Sequence, residues 1–139
     1  MSFQVYVQVF RNGEAAGMSL DAIRDAFKGH LVEIEDDYWQ ARYGDDEASD
    51  LFLNPLPRDS TLIHSLSIDR PCRDDRLHDA IWELLAVEGA VFHVPGGKAA
   101  LVRDPRAGDA MPGDLRSALG APVMIRNAQD IARSIEDAQ

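Results

Sequence analysis

The sequence predicts an α+β domain, a mainly antiparallel sheet with helices packed on one face. Three observations lead there. Strand-like segments follow one another in runs, joined by loops too short for crossover helices. Helical patterns interrupt those runs instead of alternating with every strand. The chain has 139 residues, 45% of them hydrophobic, which suits one core. The predicted order is β-α-β-β-β-α-β-β-α-β-α over a single domain spanning residues 1–139.

The first strand is Phe3 to Phe10, with Phe3, Val5, Val7 and Val9 on one face and Gln4, Tyr6, Gln8 and Phe10 on the other. Arg11-Asn12-Gly13-Glu14 is a turn. Ser19 caps a helix whose apolar stripe is Leu20, Ile23 and Phe27, and Gly29 stops it. Leu31 to Ile34 leads into an acidic stretch, and Tyr38 to Tyr43 is a second strand. Asp45-Asp46-Glu47 is a charged hairpin loop. Ser49 to Asn54 is a third strand, stopped by Pro55 and Pro57. Thr61 to Ile68 is a fourth, with Leu62, His64, Leu66 and Ile68 facing one way. Asp74 or Asp75 opens the strongest helix, whose stripe is Leu77, Ile81, Leu84 and Leu85, and Gly89 ends it. Ala90 to Val94 and Ala99 to Val102 are strands about a turn at Pro95-Gly96-Gly97-Lys98. Arg103 to Met111 is expected to be a loose, mobile loop. Pro112 opens a short helix closed by Gly120, and Pro122 to Arg126 is a short strand. Asn127, with Asp130 three residues on, caps a last helix carrying Ile131 and Ile135.

Charge narrows the partners. Acidic side chains number 24 against 14 Lys and Arg, a net charge of −10. Such a field repels nucleic acid and anionic membranes and favours a basic protein. No apolar run approaches the roughly 20 residues of a membrane span. The segment Met1 to Tyr6 lacks the basic and apolar regions of a secretory leader. Cys72 has no intramolecular disulfide partner, which fits a reducing cytoplasm. The cations are 12 Arg and 2 Lys, beside 18 Ala, a bias that points to a GC-rich bacterial genome.

Catalytic patterns are sparse. No metal site is expected, since there is one cysteine and the histidines at 30, 64, 78 and 93 lie on different elements. The acidic run at residues 45–50 lacks the alternating ligands of a calcium loop. Pro95 to Lys98 lacks phosphate-loop spacing, so no cofactor is expected. No G-x-S-x-G elbow is present. Arg70, Cys72 and Arg73 form a secondary candidate site. Cys72 lies between two arginines and before a helix N-terminus, conditions that lower a thiol pKa. Glu33, Glu35, Asp36 and Asp37 are the candidate carboxylates for a cleft, although a run so dense in charge is normally solvated. The first candidate is a partner-binding stretch: Glu35, Asp36 and Asp37 beside Tyr38 and Trp39. There the aromatics would anchor an interface and the acids steer a basic protein.

Two stretches carry a resemblance. Within Ser65 to Gly97 it lies in Ser67-Ile68-Asp69-Arg70-Pro71, Leu77 to Leu85 and Val91 to Gly96, and in the later stretch in Met111 to Leu115 and Leu119 to Pro122. In this order they resemble a group of small uncharacterised bacterial α+β proteins with a strand, an Arg-Pro step, a helix and a Pro-Gly turn. In size, acidity and element order the chain is also similar to immunity proteins that neutralise bacterial toxins. That likeness is one of general type and brings no catalytic residue. The expected function is a non-catalytic cytoplasmic protein-binding module. The alternatives are a small enzyme using Cys72 or a cleft carboxylate, and a self-associating structural protein that forms a homodimer.

Overall fold

The computed structural model describes residues 3–96 and 99–139. Met1 and Ser2, and Gly97 and Lys98 of the expected Pro-Gly turn, lie outside the described residues. Among the described residues the strands are β1 (Gln4–Arg11), β2 (Glu14–Ala15), β3 (Met18–Ser19), β4 (Leu31–Glu33), β5 (Tyr38–Arg42), β6 (Ala48–Leu56), β7 (Asp59–Asp69), β8 (Ala90–His93), β9 (Leu101–Val102) and β10 (Val123–Met124). The helices are α1 (Leu20–Ala26), α2 (Asp75–Leu84), α3 (Pro105–Asp109), α4 (Gly113–Leu119) and α5 (Ala128–Ala138).

The fold is α+β with a mainly antiparallel open sheet. Its order is β10-β9-β8-β1-β7-β6-β5-β4, and β10 with β9 is the parallel pair. The first strand therefore lies inside the sheet, between β7 and β8.

The alternation in β1 explains which side faces the helices. Val5, Val7 and Val9 are fully buried and join Leu51, Leu66, Ile68 and Phe92 from neighbouring strands. Ile23 and Phe27 of the α1 region, Leu77, Ile81 and Leu84 of α2, and Ile131 and Ile135 of α5 close over them. Each such Leu, Ile or Phe stabilises the fold by about 1.5–3 kcal/mol on burial. The three helices start where their caps dictate. Ser19 Oγ accepts from the Ala22 amide, an Asp74 carboxylate oxygen from Arg76, and Asn127 Oδ1 from Asp130.

Val91 alternates with Phe92 and enters a second apolar cluster with Phe10, Ala100, Val102, Ala107 and Met111. This cluster orders the segment expected to be a mobile loop. Asp104 caps α3, Pro105 takes its first turn, and Gly108 meets Pro122, where an added Cβ would lie 2.9 Å from the proline ring.

Glu14–Ala15, Met18–Ser19 and Leu31–Glu33, not expected as strands, are β2, β3 and β4, and two of the expected strands change. β6 continues through Pro55 to Leu56, because the proline falls where the register with β7 shifts. That same shift puts Ile63 in the core with Leu66 and Ile68, so the simple alternation expected for residues 61–68 breaks near His64. His64 Nδ1 instead lies 3.0 Å from the Val9 carbonyl and 3.1 Å from that of Ala16.

Candidate functional site

With α1, α2 and α5 on one face, the other face of the central strands carries partly exposed Tyr6, Tyr38 and His93 and exposed Phe52, with Ser65 and Ser67 buried among them. Register aligns them in rows. One row crosses β5, β6, β7, β1 and β8 as Tyr38, Phe52, Ser67, Tyr6 and His93. The adjacent row is Gln40, Asp50, Asp69 and Gln4.

The first row is two aromatic pairs flanking a serine. Tyr38 and Phe52 stack with ring centroids 5.1 Å apart, and Tyr6 and His93 stack at 6.3 Å. Phe52 is 38% exposed, large for an aromatic at the middle of a sheet. Burial holds the His93 pKa below its ordinary value.

Asp50 organises the second row. Its Oδ1 accepts from Tyr38 Oη at 2.7 Å and Gln40 Nε2 at 2.8 Å, and its Oδ2 from Arg70 at 2.6 Å. Gln40 Oε1 in turn accepts from Arg42 at 2.7 Å. Burial works to raise the Asp50 pKa, but the bonds from Tyr38, Gln40 and Arg70 outweigh it and hold the carboxyl below its usual value. The same bond to Asp50 raises the Tyr38 pKa. Beside this network Asp69 Oδ1 is buried without a hydrogen-bond partner.

Arg70 reaches Asp50 because of the chain path after β7. Its φ is +50°, a conformation rare for a residue with a side chain. Ser49, 1% exposed, pins the turn from beneath. Its Oγ donates to the Arg70 carbonyl at 3.2 Å and accepts from the Cys72 amide at 2.9 Å. The Arg70 amide donates to the Phe3 carbonyl at 2.8 Å.

The two sites expected from the sequence are redistributed by this geometry. Tyr38 and Trp39 are neighbours on a strand, so they face opposite ways. Tyr38 joins the aromatic row, while Trp39 is 2% exposed in the core beneath the Arg24 guanidinium, 5.3 Å from its ring. Trp39 is therefore not a surface anchor. Glu35, Asp36 and Asp37 are exposed on the bend between β4 and β5. With Arg24, Ile34, Leu53 and Pro55 they rim a groove of about 460 Å³ above Trp39. Glu33, also expected among the acids, is forked onto Arg24 at 3.0 and 3.1 Å, and this bond lowers its pKa.

At the secondary site Arg70 is committed to Asp50 and Arg73 is exposed. Burial pushes the Cys72 thiol pKa up, and it outweighs the bond from Ser49 that works the other way. This corrects the expectation of an activated thiolate. None of the four histidines is hydrogen-bonded to the sulfur, and Cys72 lines neither of the grooves described here. Trp82 is half-buried under Arg103, whose guanidinium lies 4.3 Å from its ring. Among the described residues no three His, Cys, Asp or Glu side chains stand together in a way that could hold a metal ion. No described helix is long and apolar enough to cross a membrane.

Sequence reasoning missed Asp50, Arg70's link to Tyr38, and the row through Ser67. One signal was present. In β6 the polar positions Asp50 and Asn54 flank Phe52, on the face opposite Leu51 and Leu53. No family model, curated protein or solved structure matches the chain.

Proposed function

We propose that the protein is a non-catalytic cytoplasmic binding module, immunity-like in type, and that its uncovered sheet face contacts a basic protein. The observation that carries this reading is the aromatic row Tyr38–Phe52 and Tyr6–His93, held in place beside the Asp50 network. Tyrosine, arginine and exposed phenylalanine on a rigid scaffold are the side chains that anchor protein interfaces at low entropic cost. Glu35, Asp36 and Asp37 and the net charge of −10 would speed encounter with a cationic surface. A half-buried Cys72 whose thiol pKa is pushed up by burial weighs against the thiol-enzyme alternative.

The test is affinity capture from the source cells, followed by titration of the recovered protein against wild type and Phe52→Glu. A basic protein should bind at low salt and release at high salt. Phe52→Glu should weaken it about 30-fold or more, the scale of an interface hot spot. Binding that is indifferent to both Phe52→Glu and salt would refute this assignment.

A further inference from the structure

We infer that the β10 edge of the sheet is a self-association surface whose occupant is a second copy of this chain, paired antiparallel about a two-fold axis at Met124. The inference is independent of the basic partner proposed above. It begins with the two ends of the sheet, β4 and β10, each hydrogen-bonded to one neighbour.

The β4 edge is charged. It carries Glu33 and runs directly into exposed Glu35, Asp36 and Asp37, so a second copy arriving there meets like charge. The β10 edge has no charge on its strand. Val123 is 49% exposed and Met124 52%, two of the four large apolar side chains exposed among the described residues. Its backbone is also unspent. The Val123 amide donates to the Ala100 carbonyl and the Ile125 amide to that of Val102, both at 2.9 Å. Strand geometry alternates these directions, so the N–H and C=O of Met124 point away from β9. In an antiparallel pair about Met124, each copy's Met124 N–H donates to the Met124 carbonyl of the other.

The surroundings suit a copy. A groove of about 570 Å³ lies between this edge and α5, lined by Leu101, Val123, Met124 and Ile125 with Arg133 and Asp137 at its side. It can take apolar side chains from an opposite edge, and methionine adapts readily to such a space. Near the patch Arg126 and Arg133 balance Asp130 and Asp137. Within the chain Arg133 already bridges Asp130 at 3.5 Å, and a locally neutral surface with both signs can pair with itself under two-fold symmetry. The rest of each body carries the net −10, which opposes approach until salt screens it. Dimerisation should therefore strengthen with salt, the opposite of partner binding.

Sedimentation of the full chain over a concentration series, at low and high salt, tests this. Wild type should form dimers, more readily at high salt. Amide exchange at Met124 should slow as concentration rises. Met124→Pro deletes the outward N–H while leaving both bonds to β9 intact, and Met124→Glu places charge at the axis without changing the backbone. Each should weaken dimerisation about tenfold or more, the worth of the lost reciprocal bonds or of buried like charge. Far-UV circular dichroism identifies a variant that has unfolded, and the other variant then decides. A wild type that stays monomeric to millimolar concentration overturns the inference. So does a dimer unaffected by a folded variant at Met124, or one that weakens as salt rises.

Discussion

Ser49→Ala should destabilise this protein far more than the loss of one hydroxyl suggests. The serine is 1% exposed, so water does not replace it without opening the fold. Its Oγ serves two backbone groups, the Arg70 carbonyl at 3.2 Å and the Cys72 amide at 2.9 Å. Among the described residues neither group has another hydrogen-bond partner. Alanine fills nearly the same volume, so the packing term is small and the cost is that of two orphaned polar groups. At about 1–2 kcal/mol for each, the expected loss is about 2–4 kcal/mol. For a domain of this size that corresponds to a fall in melting temperature of roughly 5–15 °C. Urea denaturation measures it, with the midpoint shifting and the slope unchanged. Ser117→Ala, on the exposed side of α4, is the control and should change stability by less than about 0.5 kcal/mol. The same substitution frees a strained turn, so Arg70 should leave Asp50 and binding through Tyr38 should weaken in parallel. A Ser49→Ala loss below about 1 kcal/mol would show that the hydroxyl does not hold the turn, and the account of Arg70 would fail with it.

Glycine positions give a second contrast. Gly89 has φ +82°, and a Cβ there would lie 1.9 Å from the Phe10 carbonyl oxygen, so Gly89→Ala should cost about 3 kcal/mol or more. Gly13 has φ +77° with open space around it, so Gly13→Ala should cost only about 1 kcal/mol, both read from urea midpoints. A third expectation concerns acid. Burial lowers the pKa of His78 from 6.5, although Asp75, Asp74, Asp79 and Glu136 pull the other way, and burial also lowers that of His93. The unfolded chain then binds these protons more tightly than the folded one. Their contribution is present above pH 6.5 and is lost progressively as pH falls below it. His78 Nδ1 is buried without a partner, so His78→Leu should flatten that decline; an unchanged pH profile would contradict the assignment.

Much of the fold was legible because local signals agreed with packing. Ser19, Asp74 and Asn127 announced three helices, and each side chain caps the helix it was expected to begin. The valines of β1 declared its buried face. What escaped was set by long-range contact. The shift near His64 depends on how β6 meets β7, and Pro55 looked like a stop until a bulge accommodated it. The Arg103 to Met111 segment has loop composition, yet the cluster under Phe10 and Val102 folds it into a helix. The site was half legible. Tyr38 and Arg70 were each singled out, in separate places. Only the pairing of β5 with β6 and β6 with β7 brings both to Asp50. Trp39 misled because composition shows an aromatic beside acids but not which side of the strand it occupies.

The interior position of β1 has a consequence for how the chain is made. Its neighbours, β7 and β8, end at Asp69 and His93, so the earliest made of the described strands must wait for residues far along the chain before it is enclosed. Until then Val5, Val7 and Val9 stay wet and adhesive on a nascent polypeptide. Maturation should be slow for a body of this size and should depend on protection by a holding factor during synthesis.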